Sequence, residues 1–189
     1  MLDETLSGGF QNPPVQSADA FRAALNVMAR PGRIETLGGA SAPAPVSAAA
    51  ATLLQTLCDR ETPLYLAPGH DTPAVREWIA FHIGAPICNP ETAQFALGRW
   101  QAFGPLAAFP IGTPDYPDRS TTLIVEMDIL SATGPRLSGP GIKTEARLLL
   151  PTTDAFQTNR ALFPLGHDFF FTAGSHLAAL PRSTHVRDI

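Results

Sequence analysis

A chain of 189 residues is near the size of one compact domain, and two ordinary domains would be cramped in it. Its hydrophobic fraction of 44%, against 16% charged residues, supplies a core and excludes disorder. Thirteen basic and seventeen acidic side chains leave a net charge of -4 with no basic cluster, which excludes the footprint of a nucleic-acid binder.

Residues 1–9 carry Asp3 and Glu4 where an export leader would be basic, so the expected location is cytoplasmic. The small-apolar stretch 48–57 is interrupted by Thr52, Gln55 and Thr56 and falls well short of the roughly 20 residues of a membrane span. Ser17 is placed to cap a helix with Phe21, Leu25 and Met28 on its inner face, stopped by Pro31-Gly32. A Gly/Ala/Pro loop over 38–45 follows, and Ser47 opens an Ala-rich helix buried along Leu53, Leu54 and Leu57. The run 64–67, bounded by Pro63 and Pro68, predicts a strand. Thr72-Pro73 starts a helix whose face is Val75, Trp78, Ile79 and His82, and Gly84 closes it. Strands are predicted over 94–97, 121–127, 169–172 and 177–180, with a short helix over 153–162. This alternation predicts an α/β layered single domain, 1–189, with a mixed sheet and no internal repeat.

Four segments combine rigid backbone with polar groups that a core does not need. The first, 28–32, ends Arg30-Pro31-Gly32 and reads on its own as a helix stop. The second is the turn 57–63, where Asp59 and Glu61 are candidate paired carboxylates or simply hydrated acids. The third joins Gly139-Pro140-Gly141 to Ser120-Thr121-Thr122 upstream; two side-chain-free positions let backbone N–H groups approach an anion, although the spacing is not that of a P-loop. The fourth pairs 163–168 with 180–185, so that Asp168 can meet Arg182 or His185 at one end of neighbouring strands. Ser183, His185 and Asp168 make a triad only on paper, since no nucleophile elbow is present. Cys58 and Cys88 lack metal-ligand spacing and read as two buried reduced thiols. Lys143 is the single lysine, so every other cation is an arginine suited to forked oxyanion contacts. From these residues a candidate anion site is assembled: Ser120, Gly139, Gly141, Arg182 and Thr184 on the anion, with Asp168 behind Arg182.

Taken in order, Arg30-Pro31-Gly32, Glu61-Thr62-Pro63, Ser120-Thr121-Thr122, Leu137-Ser138-Gly139-Pro140-Gly141, Pro164-Leu165-Gly166-His167-Asp168 and Pro181-Arg182-Ser183-Thr184 resemble the PhnH family of the bacterial carbon–phosphorus lyase pathway. The resemblance runs over about 20–186. It implies a fold similar to the large domain of fold-type I pyridoxal-phosphate transferases but without the cofactor, a homodimer, and assembly with PhnG, PhnI and PhnJ. Together with PhnG, PhnI and PhnL, such a subunit supports replacement of adenine on ATP by an alkylphosphonate, so ATP and phosphonate are the ligands implied. The rival reading is a stand-alone pyridoxal- or nucleotide-dependent transferase, for which Lys143 is the only Schiff-base candidate. A third reading is a scaffold that binds no ligand.

Overall fold

The structure is a computed structural model describing residues 7–188. Helix α1, Pro13–Ala29, starts four residues ahead of the expected Ser17 cap, because Pro13 and Pro14 occupy positions where a missing N–H costs nothing. Its cap residue Asn12 makes no side-chain capping bond; instead Gln16 Oε1 accepts the Asn12 N–H at 2.7 Å. The expected inner face holds only at Met28, which is half-buried against the core. Ala20, Ala23, Ala24 and Val27 are buried, whereas Phe21 and Leu25 are 47% and 53% exposed. The reason is steric: α1 packs on the Ala-rich helix α2, Ala48–Leu57, and small residues on both allow close approach. The α2 expectation holds, with Ser47 Oγ accepting the Ala50 N–H at 3.2 Å.

Helix α3, Pro73–His82, starts with Thr72 capping the Val75 N–H and buries Val75, Trp78 and Ile79 as the pattern predicts. His82 is only half-buried, at the helix end. Helix α4, Asp154–Ala161, lies within the predicted segment.

Among the described residues, nine strands form two sheets. The larger comprises β1 (Glu35–Thr36), β2 (Leu64–Leu66), β3 (Phe95–Arg99), β4 (Thr122–Glu126), β7 (Asp168–Ala173) and β8 (His176–Leu180), in the order β1-β8-β7-β4-β3-β2. Strands β2, β3, β4 and β7 run parallel, while β8 and β1 add on antiparallel, so the sheet is mixed. The smaller sheet joins β6 (Ala146–Arg147), β5 (Arg136–Ser138) and β9 (His185–Arg187), strands too short for a periodicity signal.

Side chains alternate across the larger sheet as the two-residue period demands. Ile124, Phe170, Leu177 and Ala179 face the core made with α1, α2 and α3. Leu123, Val125, Phe169, Phe171 and Ala178 face a second core with Phe103, Phe109, Leu137, Leu148 and Phe156. Helices thus cover one face, and the small sheet, α4 and 3-10 turns cover the other. No described helix is long and apolar enough to cross a membrane.

Strand register fixes where polar groups can gather. Thr122 pairs with Asp168 where the parallel strands begin, and Arg99, Glu126 and Thr172 form one cross-strand row where they end. The sheet therefore has two polar ends.

Candidate functional site

Where the parallel strands begin, Arg182 and Asp168 meet. Strand β8 runs antiparallel to β7, so the residues after β8 return to the first residue of β7. The Arg182 backbone N–H donates to Asp168 Oδ1 at 2.8 Å and its Nη2 to Asp168 Oδ2 at 2.7 Å, with Nε 3.2 Å from both oxygens. The remaining donors are also spoken for. Nη2 reaches Ser120 Oγ at 2.5 Å, and Nη1 reaches the Pro117 carbonyl at 2.7 Å and the Pro164 carbonyl at 3.4 Å. Side-chain exposures of 12% for Arg182 and 27% for Asp168 place this knot largely out of water. An anion approaching Arg182 must displace Ser120 or a carbonyl.

The structure thus brings Ser120, Arg182 and Asp168 together, sets Gly139 beside Ser183 and Thr184, and turns Gly141 onto the end of α1. Gly139-Pro140-Gly141-Ile142 is a type II turn, closed by Ile142 N–H to the Gly139 carbonyl at 3.1 Å with Gly141 at φ 79°. A Cβ on Gly141 would lie 1.9 Å from the Ala29 carbonyl oxygen, so this position lets the turn press on the end of α1. Gly32 sits similarly, with a Cβ there 2.7 Å from Ala146 Cβ. The Arg30-Pro31-Gly32 and Gly139-Pro140-Gly141 segments are therefore two halves of one packing contact. Gly139 adjoins Ser183 and Thr184; Thr184 is buried, and its Oγ1 has no partner among the described residues.

The fourth segment is clamped rather than catalytic in geometry. Asn159 accepts the His167 N–H at 2.8 Å and donates to the His167 carbonyl at 2.9 Å. A Cβ on Gly166 would lie 2.8 Å from Asn159 Oδ1, which explains a residue without one. His167 Nδ1 is 3.2 Å from the Thr121 carbonyl. Burial keeps its pKa below the ordinary histidine value, against the pull of the Thr121 and Leu106 carbonyls, while the Arg182 charge adds to the lowering. His185 lies 3.3 Å from Arg160 rather than on Asp168, so the paper triad does not assemble.

A cavity of about 600 Å³ is lined by Trp100, Leu106, Phe109, Ile111 and Leu162, with His167 and Asn159. Its two most polar groups are already partnered, which suits an apolar occupant better than a phosphonate. Asp59 Oδ1 accepts the Glu61 N–H at 2.8 Å, so the two acids build a turn and do not face each other as a catalytic pair. Cys58 and Cys88 are free; burial pushes the Cys58 thiol up to about 12, while Cys88, expected to be buried, is half-buried. No group of three or more described His, Cys, Asp or Glu residues is placed to hold a metal.

Where the parallel strands end lies a polar group that the sequence reading missed. Glu126 is buried, its Oε1 accepting the Ser47 N–H at 2.7 Å and its Oε2 accepting the Thr172 hydroxyl at 3.0 Å. Burial raises its pKa above the usual carboxyl value; the bonds from Ser47 and Thr172 and the charge of Arg99 pull it back. Arg99 also donates to Asp128 at 2.8 Å. The available signal was a lone Glu closing the apolar run Leu123-Ile124-Val125.

These features define an α/β protein that gathers its polar side chains at the two ends of a largely parallel sheet, the usual place for functional groups in such folds. Residues 8–187 match the family model for PhnH, bacterial phosphonate metabolism protein. The chain is 39% identical over 191 residues to the alpha-D-ribose 1-methylphosphonate 5-triphosphate synthase subunit PhnH of Rhizobium meliloti (strain 1021), covering 95% of this chain and 94% of that protein. It is 28% identical over 185 residues to the putative C-P lyase subunit protein HtxG of Stutzerimonas stutzeri, covering 94% and 88%. The chain belongs to the PhnH family.

Proposed function

We propose that this chain is a non-autonomous subunit of the carbon–phosphorus lyase system and supports transfer of an alkylphosphonate onto the ribose of ATP with release of adenine. The observation that carries this reading is the near full-length likeness to a relative named as a subunit of a ribose 1-methylphosphonate 5-triphosphate synthase. The proposed partners are PhnG, PhnI and PhnJ, with PhnL in the synthase step, in the cytoplasm. Exposed Phe21 and Leu25 on α1 and Phe81 on α3 support contacts with such partners or with a second copy in a homodimer. Kinship with the large domain of fold-type I pyridoxal-phosphate transferases belongs to the same reading. Lys143 is exposed, away from the buried setting that activates a Schiff-base lysine. An oxyanion at Ser120, Gly139, Gly141, Arg182 and Thr184 stays within this proposal on one condition: the ligand must replace contacts that Arg182 already makes.

Reconstitution tests the function. The purified chain, PhnG, PhnI and PhnL are mixed with ATP and methylphosphonate, and adenine release is followed with and without the chain. Release should require it. Equal release without the chain would remove the proposed role.

A further inference from the structure

Strand β2 ends into Ala67-Pro68-Gly69-His70, and β3 ends on Arg99. Between them opens a cavity of about 340 Å³ lined by Pro45, Pro68, Gly69, His70, Arg99, Gln101 and Ala102, a size at the low end for small-molecule sites. His70 is 2% exposed, and neither ring nitrogen has a hydrogen-bond partner among the described residues. A buried imidazole with both nitrogens unpaired is rare, because each forfeits its bond to water. Burial, and secondarily the Arg99 charge, lower its pKa, so the ring is neutral and presents one donor and one acceptor.

The surrounding charge indicates what belongs there. Among the described residues, Arg99 is the one cation on the cavity wall, and it is already answered by Asp128 at 2.8 Å. An anion at Arg99 would have to compete with the Asp128 carboxylate. The remaining wall is apolar at Pro45, Pro68 and Ala102. Nothing lies within 4 Å of where a Cβ on Gly69 would be, which leaves that side open. Gln101 adds an amide with a donor and an acceptor of its own. We infer that this cavity binds an uncharged nitrogen heterocycle, a purine base in the first instance, with His70 hydrogen-bonded to the ring edge. The choice of purine rests on the proposed role in adenine release; the preference for a neutral ring rests on the cavity.

The test titrates adenine, and separately triphosphate, into the full chain by calorimetry, with the ¹⁵N shifts of the histidine rings followed by NMR. Adenine should bind the wild type and move the His70 ring nitrogens. His70→Phe removes the hydrogen bonds, and Ala102→Leu fills the cavity without touching His70. Each should weaken adenine at least tenfold and leave triphosphate affinity unchanged. Absence of an adenine-dependent His70 shift, as expected if the cavity holds only water, would overturn the inference, as would equal adenine affinity in wild type and Ala102→Leu, a comparison that stands even where His70→Phe fails to fold. Adenine release in the reconstituted system separates the two proposals. Release that needs the chain without adenine binding to it sinks only the site, whereas His70-dependent binding without any effect on release sinks only the function.

Discussion

The two ends of the main sheet are both polar, yet they are built in opposite ways. Where the parallel strands begin, Arg182 spends its backbone N–H and all three guanidinium nitrogens on Asp168, Ser120, Pro117 and Pro164. Where they end, Glu126 is satisfied, but His70 is not, and Arg99 holds only an exposed partner. A saturated network fixes a fold, whereas unspent donors and acceptors are free for a ligand. On the proposal of a purine cavity, the first end holds the fold and the second recognises the ligand.

The sharpest way to break that comparison is Arg182→Ala. It strands the Asp168 carboxylate in a mostly buried position, and removal of one partner of a buried pair costs about 3 kcal/mol, the lower part of the usual range, since Asp168 keeps some water. Urea unfolding should show that loss, with Arg182→Lys in between because a lysine lacks the planar fork. Titration of methylphosphonate alongside tells whether the same residue also holds an anion. A loss below about 1 kcal/mol with abolished anion binding would move recognition to this end.

Glu126→Ala is expected to cost less, about 2 kcal/mol, for it removes the acceptor of the Ser47 N–H at the start of α2 and leaves the Thr172 hydroxyl without its partner. Glu126→Gln keeps the shape and an acceptor oxygen, and it should cost under about 1 kcal/mol in the same measurement. Equal losses in both variants would mean that the charge, not the hydrogen bonds, matters there.

The sequence made the first end legible and the second obscure for physical reasons. Gly, Pro, Arg and Asp cluster in short segments around the Arg182 knot, and such residues are conspicuous because a core has no use for them. What could not be read was that Gly141 faces Ala29 instead of an anion, since close approach to a distant backbone leaves no local trace. At the second end, Arg99, Glu126 and Thr172 are lone residues closing apolar strands, and only register aligns them. The parallel core strands were readable from β-branched and aromatic runs. The inner face of α1 was not: Phe21 and Leu25 are exposed, and three alanines with Val27 carry most of the packing.

Each end holds one buried histidine with a lowered pKa, His167 at the first and His70 at the second. Such a group protonates in the unfolded chain below about pH 6.5 but stays neutral in the fold. Its contribution is present above that value and is lost as pH falls through the window towards the folded pKa, at up to about 1.4 kcal/mol per pH unit for each group. Glu126 acts in the opposite sense. Its raised pKa makes its contribution fullest below the ordinary carboxyl range and lost as pH rises through the folded value. Unfolding free energies at about pH 7.5 and 5.5 should therefore fall on acidification. The slope should be shallower in His70→Gln and in His167→Gln. A slope untouched by either histidine change would show that neither is held neutral.

The smallest expected effect on stability belongs to Asp128→Asn, and it sharpens the comparison most finely. Arg99 and Asp128 are 54% and 82% exposed, and an ion pair so open to water contributes little, so the melting temperature should move by less than about 1 °C. A drop approaching that of Arg182→Ala would make the second end structural as well and erase the contrast. The substitution has a second consequence through charge. Asp128 is what covers the Arg99 guanidinium on the outer side, so its neutralisation should raise triphosphate affinity at low salt severalfold while leaving adenine affinity unchanged. That pairing of outcomes follows only if Asp128 screens Arg99 from anions and the cavity binds a neutral ring through His70. A parallel rise for adenine and triphosphate would show instead that Asp128 merely blocks the entrance.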